Sequence, residues 1–131
     1  MRAFNLIYIV EDDLITSTIT ELIVSQNEAF GEVKKYMNGQ EAFDALQLVA
    51  QQQAEVPDLI LLDLNMPVMD GWEFLDAFSS LALQKPVCVC VLTSSIDPDD
   101  IEKSKRYAEV KGYFTKPLDG DMLNQIVGLV A

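Results

Sequence analysis

Residues Asp58 to Gly71 read DLILLDLNMPVMDG, and this stretch constrains the fold more than any other. It opens with a continuous apolar run, Leu59 to Leu62, bounded by turn formers. An uninterrupted run of that length suits a strand buried on both faces, as in a parallel sheet covered by helices on each side. The run stops at Asp63. An unpaired carboxylate would lose too much hydration to continue into a core. The acid is therefore expected at the strand's carboxyl end, where open parallel sheets collect their ligand sites. Pro67 and Gly71 mark a loop, and Asp70 with Glu73 has the form of a helix N-cap closed by a capping box.

The rest of the chain repeats this unit. Leu6–Val10 is a strand candidate that also ends in acids, Glu11, Asp12 and Asp13. Ile15, Ile19, Leu22 and Ile23 recur at helical spacing, which predicts an amphipathic helix from Leu14 to about Asn27, with Asp13 as its cap. Val33–Met37 is a short second strand, and Asn38 with Glu41 resembles another capping box. The helix that follows carries Ala42, Phe43, Leu46 and Val49 and has a glutamine-rich tail that must end before Pro57. After the third strand, Trp72, Leu75, Phe78 and Leu81 give a third helix, and Val87–Leu92 a fourth strand ending at Thr93. Asp97-Pro98-Asp99-Asp100 is a strong helix start, with a cap, a proline at the first position and acids facing the dipole. That fourth helix is expected to reach about Glu109. Gly112–Thr115 is a fifth strand ending at Lys116-Pro117, and Met122, Leu123, Ile126, Val127 and Val130 form a last helix. Five strand-helix units with short connections predict an α/β fold: a parallel sheet with helices on both faces and right-handed crossovers.

The 131 residues are expected to form one domain, 1–131, with a single hydrophobic core. The formal net charge of −12 argues against direct binding to nucleic acid or to an anionic membrane, and fits cations and basic partners. No run approaches the roughly 20 apolar residues of a membrane span. The amino end has too short an apolar stretch for a signal peptide, and Cys88 and Cys90, two apart in VCVCVL, read as packed thiols of a reducing compartment. A cytoplasmic protein is expected.

In a parallel sheet the carboxyl ends of the strands share one edge. That edge would gather Glu11 and Asp12, Asp63, Thr93 and Lys116: clustered carboxylates, one hydroxyl and one ammonium. Clustered carboxylates resist ionising together unless a cation sits among them, and Mg²⁺ suits one or two carboxylates beside waters and a phosphate. A lysine and a hydroxyl can hold further phosphate oxygens, and an aspartate can be the nucleophile of an aspartyl-phosphate. The set suits phosphoryl transfer.

Four motifs, VEDD at 10–13, LLDLNMPVMDG at 61–71, VLTSS at 91–95 and YFTKPL at 113–118, together resemble the receiver domain of two-component response regulators. The resemblance covers almost the whole chain and is nearest to a stand-alone, chemotaxis-regulator-like receiver. It implies a flavodoxin-like (βα)5 three-layer sandwich with strand order 2-1-3-4-5. It also implies that Asp63 is the phosphoacceptor for a histidine kinase or histidine phosphotransfer protein. By the same resemblance Asp12 is a direct Mg²⁺ ligand, Glu11 acts through water, and Asn65 lends its backbone carbonyl. Thr93 would bond the phosphoryl group, Lys116 pair with it, and Tyr113 serve as the switch aromatic; a cis bond is expected before Pro117. The implied function is a phosphorylation-dependent switch, not an enzyme acting on other substrates. A protein effector in trans would read the face made by the fourth helix, fifth strand and fifth helix, and the protein would be a monomer or weak dimer. Ser95 and Asn65 would flank the phosphate and tune its lifetime.

Two other readings are weighed. A pseudo-receiver would keep the fold for protein binding alone, yet every site position holds a competent residue. An enzyme is the second. LILLD resembles the acid-terminated strand of a nucleotide hydrolase, but the chain has no GxxxxGK[ST] loop. Asp63-Leu64-Asn65 begins like a calcium loop, but Pro67 takes a ligand position. In a haloacid-dehalogenase phosphatase an aspartate would stand where Asn65 does.

Overall fold

The computed structural model describes residues 2–52 and 54–130. Five strands alternate with five helices: β1 (Phe4–Val10), α1 (Leu14–Ser25), β2 (Phe30–Tyr36), α2 (Gly39–Gln52), β3 (Leu59–Leu62), α3 (Gly71–Phe78), β4 (Cys88–Thr93), α4 (Pro98–Ser104), β5 (Val110–Thr115) and α5 (Gly120–Gly128). All strand pairs are parallel, in the order β2-β1-β3-β4-β5. This is the flavodoxin-like arrangement the family resemblance implied.

Strand periodicity divides the core in two. Leu6, Tyr8 and Val10 of β1, with Ile60 and Leu62 of β3, face Ala42 and Leu46 of α2 and Phe74 and Phe78 of α3. Ile7, Ile9, Leu59 and Leu61 face the other way, against Val24 of α1 and Leu123 and Ile126 of α5. All four residues of β3 are buried, because helices cover both of its faces. Cys88 and Cys90 are free, on one face of β4, with sulfurs 4.0 Å apart. Among the described residues no helix is long and apolar enough to cross a membrane.

At the amino edge of the sheet, Asp58 clips β1 to β3. Its carboxylate accepts from the Asn5 and Leu6 N–H groups at 2.6 and 3.0 Å and pairs with Lys85. Burial pushes the Asp58 carboxyl up, but the bonds from Lys85 and the two amides outweigh it and hold it below its ordinary value. Asp58→Ala removes the acceptor of a part-buried amide and is expected to cost roughly 1–3 kcal/mol. A carboxyl with a depressed folded pKa contributes stability above its unfolded value, about 3.9, and loses it as pH falls through the lower folded value. Urea unfolding at neutral and at acid pH checks this: the gap between wild type and Asp58→Ala should be widest at neutral pH and narrow below the folded Asp58 value.

Several expectations need correction. The third and last helices end at Phe78 and Gly128, so Leu81 and Val130 lie beyond them. The apolar stripe of α1 faces solvent: Leu14, Ile15, Ile19 and Leu22 are exposed, while Ser17, Thr20 and Val24 are buried. The small polar residues let the helix approach the sheet, and Ile23 alone of the expected four packs against the core. The fourth helix stops at Ser104 rather than Glu109, where Lys105 caps it and Tyr107 turns back through a bond from its N–H to the Ser104 carbonyl. At α2 the capping box is displaced: Asn38 accepts from Glu41 N–H at 2.9 Å, but the Glu41 carboxylate accepts from Met37 N–H at 3.0 Å instead of from Asn38.

Candidate functional site

Backbone bonds carry the strand ladders one residue past their ends and so set the site. Asp63 N–H donates to the Val10 carbonyl at 3.0 Å, and Lys116 N–H donates to the Thr93 carbonyl at 2.8 Å. Val10 is registered with Leu62, and Leu62 with Val91, so Glu11 and Asp63 follow side by side, while β4 runs on two residues past Val91 to end at Thr93 on the same edge. The convergence expected from the strand ends is present.

Glu11, Asp12 and Asp63 each offer a carboxylate oxygen within 4.8 Å of the others. Glu11 and Asp63 are buried, 4% and 5% exposed, a costly place for charge without a partner. The partner is Lys116. Its ammonium donates to Asp63 Oδ2 at 3.1 Å and contacts Glu11 Oε1. Burial raises the Glu11 pKa, while Lys116 and the Asp13 N–H pull it back and Asp63 pushes it up again. Burial disfavours the Lys116 cation, but Glu11 and Asp63 together raise its pKa, so the ammonium keeps its proton. One cation thus sits beside three acids, and the remaining negative charge suits a hard divalent ion with oxygen ligands.

Thr93 is fully buried, and its Oγ1 accepts from Ser95 N–H at 3.3 Å. Tyr113 donates from its hydroxyl to the Ser95 carbonyl at 2.9 Å, which holds its ring toward the loop after β4. Asn65 is exposed in the loop after β3. The Lys116–Pro117 bond is cis. Asp13 caps α1 through Ile15 N–H, and Asp70 and Glu73 complete their capping box on α3.

The loop between Asp63 and α3 is stiff. Val68 has φ 69°, and Met69 N–H donates to the Pro67 carbonyl at 2.8 Å, which makes a tight γ-turn around a β-branched residue in the left-handed region. Gly71 lies flat against the strand end: a Cβ there would meet the Asp63 carbonyl oxygen at 2.5 Å and Leu64 Cα at 2.8 Å. Two contacts were not read from the sequence. Glu11 is the nearer partner of Lys116, and Ser95 is bonded to Asp100. Each joins residues that no local pattern links.

Residues 7–128 match the response regulator receiver domain. The chain belongs to that family. Solved structures agree. This receiver is similar to a two-component response regulator from Cytophaga hutchinsonii, with 29% identity, TM-score 0.88 and 98% of each chain covered. The phosphorylated cyanobacterial phytochrome response regulator RcpA is 35% identical, with TM-score 0.76, over 94% of this chain and 88% of that one. A Mn²⁺-bound form of the response regulator Rcp1 is 31% identical, with TM-score 0.75 and the same coverage. Against curated relatives the receiver spans about half their length; it is 27% identical over 119 residues to the rice (Oryza sativa) response regulator ORR1, covering 89% of this chain and 51% of that one. Receiver domains are signalling modules of two-component systems, consistent with control by phosphorylation, and bind Mg²⁺ or Mn²⁺ at an acidic pocket.

Proposed function

We propose that this receiver is a switch that takes a phosphoryl group on Asp63 from a histidine kinase or a histidine phosphotransfer protein. One observation carries the reading: the Asp63 carboxylate, 3.1 Å from the Lys116 ammonium, lies with oxygens of Glu11 and Asp12 all within 4.8 Å of one another. An Asp63 carboxylate oxygen attacks phosphorus, the phosphorus–nitrogen bond of the donor breaks, and the imidazole leaves with the electron pair. The product is an acyl phosphate. Glu11, Asp12, Asp63 and the Asn65 carbonyl would hold Mg²⁺, which when bound would supply positive charge for the phosphoryl oxygens.

Lys116 and the Thr93 hydroxyl are the chain's own donors for those oxygens. The receiver acts on no substrate but itself, gaining the phosphoryl group and slowly hydrolysing it. Drawing Thr93 toward phosphate unsettles the loop after β4, and Tyr113, bonded to Ser95 in that loop, responds with it. The face of α4, β5 and α5 then changes for a protein effector in trans. The setting is the cytoplasm.

Intact-mass measurement with Mg²⁺ and acetyl phosphate tests this. The expected result is a gain of one phosphoryl group, absent when EDTA replaces Mg²⁺ from the start and absent in Asp63→Asn. A gain of the same size in Asp63→Asn would contradict it.

A further inference from the structure

Ser95 is bonded through every polar atom it has. Its N–H donates to Thr93 Oγ1 at 3.3 Å, and its carbonyl accepts from the Tyr113 hydroxyl at 2.9 Å. Its own hydroxyl donates to Asp100 Oδ2 at 2.6 Å and accepts from Asp97 N–H at 3.3 Å. One residue therefore joins the end of β4, the first turn of α4 and β5.

α4 is an element such a joint can move. It has seven residues, of which Ser104 alone is buried. Beyond the joint it is held at its far end, against α3. Lys103 Nζ lies 4.5 Å from the centre of the Trp72 ring, Tyr107 stacks on that ring at 6.0 Å, and the Tyr107 hydroxyl donates to Asp76 Oδ1 at 2.7 Å. A short helix with little buried surface shifts as a body, and the contacts at its two ends decide where it rests.

We propose that Ser95 and Asp100 are the positioning pair that ties α4 to the state of the Thr93 hydroxyl, so that a phosphoryl group on Asp63 is felt at Trp72. The inference rests on the reading of Asp63 as phosphoacceptor. In the present state Thr93 Oγ1 is the acceptor for Ser95 N–H. Phosphoryl oxygens accept from the Thr93 hydroxyl, and as the side chain rotates to donate to them its oxygen leaves Ser95 N–H, which loses its acceptor, and the loop follows. The bond from Ser95 to Asp100 carries the first turn of α4 along, and Lys103 slides off the Trp72 ring.

The alternative role for Asp100 is that of an acid facing the helix dipole. Asp99 has the same charge in the same turn, with no side-chain bond to Ser95, and so separates the two roles.

Trp72 is the only tryptophan, so its fluorescence reports this contact without interference. The full chain is treated with Mg²⁺ and acetyl phosphate, and Trp72 emission and intact mass are read on the same samples. Asp100→Ala is expected to gain the phosphoryl mass as wild type does while losing the Trp72 response. Ser95→Ala, which removes the donor instead, should lose the response too. Asp100→Asn, which still accepts the bond, and Asp99→Ala should both keep it. A full response in Asp100→Ala, an equal loss in Asp99→Ala, or an unchanged wild-type Trp72 signal at full mass gain would each overturn the inference. A wild-type chain that gains no mass would instead overturn the Asp63 reading, visible in the mass alone, and this inference with it.

Discussion

Lys116→Met should lower the stability of the metal-free protein by about 3 kcal/mol, and a divalent cation should restore much of the loss. Lys116 holds two carboxylates that are almost closed to solvent, with side chains of Glu11 and Asp63 only 6% and 7% exposed. Methionine keeps most of the length and apolar contact of the side chain but leaves those acids facing each other and Asp12 with no cation. Removing one partner of a buried pair costs roughly 3–5 kcal/mol; the 18% exposure of the Lys116 side chain places this case at the lower end. Mg²⁺, bound as proposed, would stabilise the folded state by mass action, and more strongly where three acids lack their ammonium. Urea midpoints of both proteins, with and without Mg²⁺, give the result. The variant should show the lower midpoint without metal and the larger gain with it. Equal midpoints without metal would mean that Lys116 does not hold the pocket together.

Gly71→Ala should be nearly as damaging for a different reason. The added Cβ would lie 2.5 Å from the Asp63 carbonyl oxygen and 2.8 Å from Leu64 Cα. Both are backbone atoms, so no side chain can rotate to make room. Overpacking of this kind costs typically 1–3 kcal/mol, and the backbone contact points to about 3. The nearer of these atoms belongs to Asp63, which carries the proposed nucleophile, and the other to the next residue, so the rate of phosphoryl gain should fall together with stability. Gly128→Ala is the control: a Cβ there meets nothing within 4 Å, and a helical alanine is neutral or slightly stabilising. A Gly71→Ala protein that unfolds at the wild-type midpoint and gains phosphate at the wild-type rate would show that α3 can retreat from the strand without cost.

Three local signals were carried by the sequence. The apolar run ending in Asp63, the Asp70–Glu73 capping box and the Asp97-Pro98 helix start each lie within a few residues, and each is present in the structure. The gathering of Glu11, Asp12, Asp63, Thr93 and Lys116 followed from one rule, that parallel strands end on the same edge. Helix phase was not legible in α1. Spacing shows that a stripe exists, but not which way it faces, and here Ser17 and Thr20 are small enough to pack where Ile15 and Ile19 were expected. The end of α4 was hidden because Tyr107 looks like a helical core residue, whereas it leaves the helix to stack on Trp72. Lys116 on Glu11 and Ser95 on Asp100 depend on how loops settle in space, which no spacing encodes.

The most direct measurement locates the phosphoryl group itself. The protein is treated with Mg²⁺ and acetyl phosphate, reduced with borohydride, which converts an aspartyl-phosphate to homoserine, and digested for peptide mapping. Homoserine at position 63, dependent on the phosphodonor and on Mg²⁺, is the expected result. Homoserine at another aspartate, or none where the intact protein has gained a phosphoryl group, would contradict Asp63 as the acceptor.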